Sequence, residues 1–209
     1  MTAAGLNPIR LVDYDPRWPV AFRAETDRLL QAAPYLLERI EHIGSTSVPG
    51  LAAKPTIDLM GESADAEPSQ ELVPLLAGLD YQNRPNEFTD RLLFSRGPDG
   101  ARTYNLHIVA KGTLETRNEI LFRDRLRQDS DLAARYGALK RELASQRHLD
   151  PFSYSRAKTA IIVSAVNEER ASRGLPPTDI WSILGPKRRG AWINAESAGS
   201  KPTFDVQTE

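Results

Sequence analysis

Two small residues, Gly44-Ser45, sit in the string HIGSTSVPGLAAKPTIDLM. A glycine followed by a serine in a loop exposes backbone N–H groups and adds a hydroxyl, a combination that suits phosphate oxygens. Thr46 and Ser47 add further hydroxyl donors, and Lys54 adds a compact positive charge within reach of the same anion. Twelve residues separate Ser45 from Asp58, which lies in the run Thr56-Ile57-Asp58-Leu59-Met60. A strand carboxylate close to a phosphate loop is suited to holding a hard divalent cation such as Mg2+. A second carboxylate two residues further would face the same side of the strand. That position is Met60, and a thioether is a poor ligand for a hard cation.

His107 offers a second point of chemistry. In RTYNLHIV, residues 102–109, Leu106 and Ile108 face one side and Asn105 and His107 the other, so His107 can serve a cleft as metal ligand or general base. A hydrogen-bonded structural histidine is the plain alternative. His42, one residue ahead of the loop, is expected to orient it through its imidazole. Arg123 and Arg127 are i,i+4 on one helix face and are candidates for a bidentate clamp on an anion, while Arg117 lies off that face. The neighbouring Asp124 equally fits an ordinary charged helix surface. Lys158 follows Tyr154 at i+4 and either pairs with a carboxylate or faces the cleft.

These residues need positioning elements. Ile9–Val12 reads as a short β run, and Asp15-Pro16 as the start of a helix over 16–33 with Trp18, Phe22 and Leu29 on one face. Residues 37–43 read as a helix end running into a strand. Gly44, Pro49, Gly50 and Pro55 break regular structure before the Thr56–Met60 strand, with Gly61 arguing against its continuation. A short amphipathic helix over 68–79 carries Leu72, Leu75, Leu76 and Leu79, with Pro74 inside it. Residues 91–96 and 102–109 read as a hairpin through Gly97-Pro98-Asp99-Gly100. Helices then follow over 114–128, 130–147 and 152–172. The front is α/β and the back helical.

The 209 residues suit one core with a decorated end, 1–174 as the domain and 175–209 as an extension rich in Pro, Gly and Ser. Part of that extension is expected to pack, because Trp181, Ile183, Leu184 and Trp192 are costly to expose. Lys and Arg number 27 against 28 Asp and Glu, so no global field favours a nucleic acid or an anionic membrane. Lys187-Arg188-Arg189 reads as a solvated loop. Cysteine is absent, which excludes disulfides, thiolate nucleophiles and Cys-ligated zinc. With neither a leader nor a membrane span in view, the expected location is the cytoplasm.

The string HIGSTSVPGLAAKPTIDLM, followed in order by NLHIV at 105–109, LFRDRLR at 121–127, YGALKRELA at 136–144 and YSRAKTAII at 154–162, resembles the GrpB family over residues 9–170. That family also occurs as an extension fused to some bacterial dephospho-coenzyme A kinases. The resemblance implies a nucleotidyltransferase-like α/β (α+β) fold, a mixed sheet with helices followed by a helical C-terminal part. Polymerase-β-type transferases place a Gly-Ser pair ahead of a strand Asp, commonly in an Asp-x-Asp/Glu pair. Asn105 departs from the family, where a histidine is frequent.

The expected function is Mg2+-dependent transfer of a nucleoside monophosphate from an NTP to a small-molecule acceptor. Asp58 and His107 would be catalytic and metal-binding, and Gly44, Ser45, Thr46, Ser47, Lys54, Arg123, Arg127 and Lys158 would bind nucleotide phosphate. A catalytically silent nucleotide-binding or folding-assistance module, suggested by Met60, is the alternative. An accessory enzyme of a small-molecule pathway is a third. Glu62 and Glu87 are the carboxylates whose distance from Asp58 discriminates among them.

Overall fold

The computed structural model describes residues 9–84, 90–98, 101–146 and 150–179. Five strands, β1 (Leu37–Ile43), β2 (Ile57–Ser63), β3 (Gln82–Asn83), β4 (Arg91–Arg96) and β5 (Tyr104–Val109), form one mixed sheet in the order β1-β2-β5-β4-β3. β2 runs parallel to β5, and the β1–β2, β4–β5 and β3–β4 pairs are antiparallel. The helices are α1 (Trp18–Ala32), α2 (Leu72–Ala77), α3 (Asn118–Gln128), α4 (Ser130–Ser145), α5 (Pro151–Ala157) and α6 (Thr159–Ser172). Among the described residues, no helix is long and apolar enough to cross a membrane.

The alternation on β5 sorts the two faces of the sheet. Tyr104, Leu106 and Ile108 join Ile57, Leu59 and Phe94 in a core closed by Trp18 and Leu29 of α1 and Leu72 and Leu76 of α2. Leu59, Phe94 and Leu106 are fully enclosed, and such side chains each contribute ~1.5–3 kcal/mol by leaving water. Phe22 packs at the edge of this core, so the face expected for α1 is the one it buries. Glu25, also on that face, is buried with the Tyr81 hydroxyl donating to it at 3.0 Å and Arg28 and Arg96 as ion-pair partners. The opposite face is covered in two places. Ile43, Met60 and Val109 pack with Leu114 and Ile120, and Val48 and Leu51 pack with Leu126, Leu132, Tyr136 and Ala165.

Several local expectations are revised. Ile9–Val12 contributes only an isolated bridge, Val12 to Ala53, because its backbone finds one partner and no ladder. Residues 37–43 are strand throughout, since every residue from Arg39 to Ile43 has a partner on β2. β2 continues through Gly61 to Ser63, held between β1 and β5. The helix expected over 114–128 breaks at Arg117, whose extended backbone separates a 3-10 turn from α3. The helix expected over 152–172 breaks at Lys158, which ends α5 and begins α6.

Residues 175–179 fold back onto the helices. The Asn167 side chain accepts from the Thr178 N–H at 2.7 Å and donates to its carbonyl, and Asn118 donates to the Thr178 hydroxyl at 3.1 Å. Glu87, Trp181, Ile183, Leu184, Lys187–Arg189 and Trp192 lie outside the described residues.

Candidate active site

Gly44 follows β1 with φ 69° and ψ −174°, a region open essentially to glycine alone. A Cβ there would stand 2.4 Å from Asp58 Oδ2, so the residue is required both by its backbone and by the close approach of the carboxylate. Ser45–Ser47 then form a single 3-10 turn. The Ser47 hydroxyl donates back to the Gly44 carbonyl at 2.6 Å, and the Thr46 hydroxyl lies 2.9 Å from Nε2 of His42. The His42 ring stacks on Phe22 at a 4.6 Å centroid distance. Burial, with Arg127 and Arg123 nearby, lowers the His42 pKa to about 4, so the ring is neutral at physiological pH and orients the loop as expected. Thr46 and Ser47 are therefore occupied in holding the turn, while Ser45 is presented to the cleft.

Asp58 lies on β2 between Ile43 of β1 and Asn105 of β5. Asn105 Nδ2 donates to Asp58 Oδ1 at 2.8 Å. Burial raises the Asp58 pKa to about 6 against the opposing effects of Asn105, Lys158 and Lys54. On one side of this carboxylate lies a polar cavity of about 200 Å³ that includes Ser45, Thr46, Lys54, Asn105, Lys140, Tyr154 and Lys158 in its lining. On the other side lies a cavity of about 280 Å³ bordered by Ile43, Gly44, Ser45, His107, Glu119, Phe122, Tyr136 and Ile162, among others. Ser45 and Asp58 border both.

The polar cavity holds a residue that the sequence reading passed over. Lys140 is only 2% exposed, yet its ammonium donates to Ser45 Oγ at 2.9 Å and to the Ala52 carbonyl at 2.5 Å, joining both ends of the loop. It sits over the Tyr136 ring at 4.7 Å, as Lys158 sits over Tyr154 at 4.1 Å. Tyr136-x-x-x-Lys140 and Tyr154-x-x-x-Lys158 thus repeat one spacing and one contact, and that repetition is the signal that could have found Lys140. Burial, reinforced by Lys158 and Arg141, lowers the Lys140 pKa to about 7. Burial and Lys54 lower that of Lys158 to about 8, against the pull of Asp58. Lys54 is also shifted down, chiefly by burial, and lies 5.0 Å from the Tyr154 ring centre. Three ammonium groups held beside one half-buried carboxylate repel one another, and a phosphate would relieve that repulsion.

Other expected site residues are placed differently. Arg127 donates through Nε and Nη2 to the Ser47 carbonyl at 3.0 and 2.8 Å, bracing the loop from outside. Arg123 donates to Glu41 at 2.7 Å and to the His42 carbonyl at 3.0 Å while bordering the His107 cavity. Both guanidiniums are engaged by the protein, and neither lines the polar cavity with Lys54 and Lys158. His107 faces away from the main core, as the alternation implies. Its Nδ1 is enclosed with no hydrogen-bond partner among the described residues, and burial lowers its pKa to about 4.

The second carboxylate is missing for a structural reason. Met60 is fully enclosed beneath Leu114 and Ile120, so its position is core rather than cleft. Glu62, two residues on, accepts from the Gly112 and Leu114 backbone N–H groups at 2.7 and 3.4 Å and caps the turn after β5. No group of three or more His, Asp or Glu side chains among the described residues is arranged to hold a metal ion. The donors present fit a cation that takes Asp58 from the protein and its other ligands from substrate phosphate and water, a habit of Mg2+.

The sheet, its crossing helices and the loop-carboxylate site define a nucleotidyltransferase-like α/β fold. The same fold is seen in the Cid1 poly(U) polymerase with Mg 3′-dATP bound, with a TM-score of 0.50 at 14% identity over 69% of this chain and 49% of that one. Within that class, the model described as GrpB protein matches residues 8–168, and the chain belongs to the GrpB family. It is similar to the crystal structure of conserved protein GrpB from Enterococcus faecalis, with a TM-score of 0.68 and 32% identity over 79% of this chain and 99% of that one. A UPF0157 protein of Halalkalibacterium halodurans is 36% identical over 179 residues, 82% of this chain and 90% of that protein. A dephospho-CoA kinase of Mycolicibacterium paratuberculosis is 30% identical over 178 residues, 72% of this chain and 43% of the kinase.

Proposed function

We propose that this protein binds a nucleoside triphosphate with a divalent cation, Mg2+ by donor type, and transfers the nucleoside monophosphate to a small acceptor. The observation that carries the reading is the placement of Asp58 against Gly44, with Ser45, Lys54, Lys140 and Lys158 in one polar cavity beside it. Ser45 and the lysines would take the phosphate oxygens, with Lys140 also holding the loop in shape. Asp58 would hold the cation, its rotamer set by Asn105. A bound cation would neutralise charge on the transferring phosphoryl group. The protein's own part is to position that group and to hold the Asp58 carboxylate in place for the cation.

Thermal unfolding tests this directly. NTP plus Mg2+ should raise the melting temperature, and Asp58→Asn should remove the gain. Unchanged melting with all four NTPs would sink the proposal.

A binding-only role is supported by one specific observation, the enclosure of Met60 where a second carboxylate would otherwise stand. Pyrophosphate release with any acceptor panel would reject that role. Nucleotide binding with no release would favour it over transfer.

A further inference from the structure

Asp58 separates two cavities of opposite character, and the proposed transfer uses only the polar one. The second cavity has predominantly apolar walls, including Ile43, Phe122, Leu126, Tyr136 and Ile162. Phe122 and Tyr136 meet edge to face with ring centres 5.0 Å apart, which gives the wall a fixed shape. Its volume, about 280 Å³, is the space of roughly nine waters and lies just under the usual lower limit of small-molecule sites. A nucleoside triphosphate does not fit such a space, nor does a polymer segment.

Glu119 and Arg123 at its border are already matched by ion pairs, and Asp58 is held by Asn105. Glu119 is paired with Arg91 at 2.5 Å, and Arg123 with Glu41 at 2.7 Å and Asp124 at 2.7 Å. An anionic guest would face Asp58 and Glu119, and a cationic one would find Glu119 paired with Arg91 and Asp58 committed, in the reading above, to the bound cation. His107 is an uncharged polar group on this border whose enclosed Nδ1 has no hydrogen-bond partner among the described residues, and a neutral imidazole offers one donor and one acceptor.

We propose that this cavity is the acceptor site, and that it takes a small uncharged alcohol with its apolar body against Phe122 and Ile162 and its hydroxyl hydrogen-bonded to His107. The proposal deepens the nucleotidyl-transfer reading and rests on it for the reaction. Ser45 and Asp58 border both cavities, so a hydroxyl at this mouth faces a phosphate held by Ser45 and the lysines. The alcohol oxygen forms a bond to the α-phosphorus, and the bond from that phosphorus to the β-bridging oxygen breaks. Pyrophosphate leaves with the electron pair, and the hydroxyl proton passes by way of the imidazole to water.

Benzyl alcohol is a suitable probe, with benzoate and benzylamine as charged counterparts of nearly the same shape. Binding to the full chain is followed by protein-observed NMR, with and without MgATP. Benzyl alcohol should bind, and both charged probes should bind at least about tenfold more weakly, a burial-scale discrimination. Ile162→Phe, which fills the cavity, should abolish alcohol binding and leave the MgATP melting shift in place. His107→Ala should weaken the alcohol about fivefold, the effect of one hydrogen bond.

Equal binding of the three probes would overturn the assignment, as would alcohol binding that persists in a folded Ile162→Phe protein. Failure of MgATP to bind while benzyl alcohol still binds in this pattern would remove the transfer reading and keep the cavity as an alcohol site. MgATP binding without alcohol binding would do the reverse.

Discussion

Asn105 Nδ2 donates to Asp58 Oδ1 at 2.8 Å across the parallel β2–β5 pair, so a neutral amide on the neighbouring strand fixes the carboxylate. An amide in this place orients Asp58 without changing its own charge over the working pH range. The pair accounts for how one carboxylate can stay ordered in a cleft that burial makes unfavourable for its charge.

That unfavourable charge yields a prediction about stability. Burial lifts the Asp58 pKa from its ordinary 3.8 to about 6, so the folded protein favours the neutral carboxyl. The contribution is complete below about pH 4 and is lost as pH rises through about 6. Asp58→Asn should therefore stabilise the ligand-free protein at pH 7, by about 1–2 kcal/mol after allowance for solvent screening. It should also make the melting temperature less dependent on pH between about 4 and 6. Calorimetric scans of both proteins across that range provide the check, and a variant that melts well below the parent at pH 7 contradicts the account.

Gly44→Ala should damage the site more than its single carbon suggests. The backbone conformation costs an alanine about 1–3 kcal/mol, and the new Cβ meets Asp58 Oδ2 at 2.4 Å. Loss of stability and loss of Mg2+-dependent nucleotide binding are expected together. Denaturant titration and nucleotide titration on the same sample would show whether the two losses coincide.

Restoring a second carboxylate by Met60→Asp should not create a metal pair. The side chain is fully enclosed among Ile43, Val109, Leu114 and Ile120, so an aspartate would be buried without a partner. A destabilisation of about 3 kcal/mol or more is expected. A folded Met60→Asp protein with tighter Mg2+ binding than the parent would show that the apolar cluster opens readily.

The lysines predict a proton signature. Lys140 and Lys158, with pKa values lowered to about 7 and about 8, are partly uncharged at pH 8 without ligand. A phosphate stabilises their charged forms, so binding should take up protons and affinity should fall as pH rises from 7 to 9. Calorimetric titration of ATP at pH 8 in two buffers of different ionisation enthalpy should show uptake of about half to one proton. Lys158→Met should reduce that uptake, and binding without proton exchange would argue against the lysine cavity as the phosphate site.

Much of the scaffold was legible because it rests on short-range rules. The β4–β5 hairpin follows from two apolar runs around a Gly-Pro-rich turn, and the alternation Asn105, Leu106, His107, Ile108 already separates cleft from core. The breaks at Arg117 and Lys158 were not legible, because neither position carries a proline or glycine to announce it. Arg117 takes an extended backbone and Lys158 closes α5 and opens α6, each just before a helix, α3 or α6, that packs on the other. The site was legible in its loop and carboxylate and less so in its cations. Arg123 and Arg127 share a helix face with the spacing of a clamp, yet Arg127 is taken by the Ser47 carbonyl and Arg123 by Glu41, Asp124 and the His42 carbonyl. Lys140 reads as an ordinary surface lysine until α4 is laid across the loop.

By itself the sequence determined the family, the nucleotidyltransferase-like class, the Gly44-Ser45 loop and the absence of a second carboxylate two residues after Asp58. These are properties of residue identity and order, which need no partner from elsewhere in the chain. Only the tertiary structure decided that Met60 belongs to the core, that Glu62 caps a turn, that Lys140 joins Ser45 to Ala52, and that Asp58 stands between a lysine-lined cavity and an apolar one. Each of those outcomes depends on which groups the packing of β2, β5, α3 and α4 brings within a few ångströms, and burial then sets their charge and their availability.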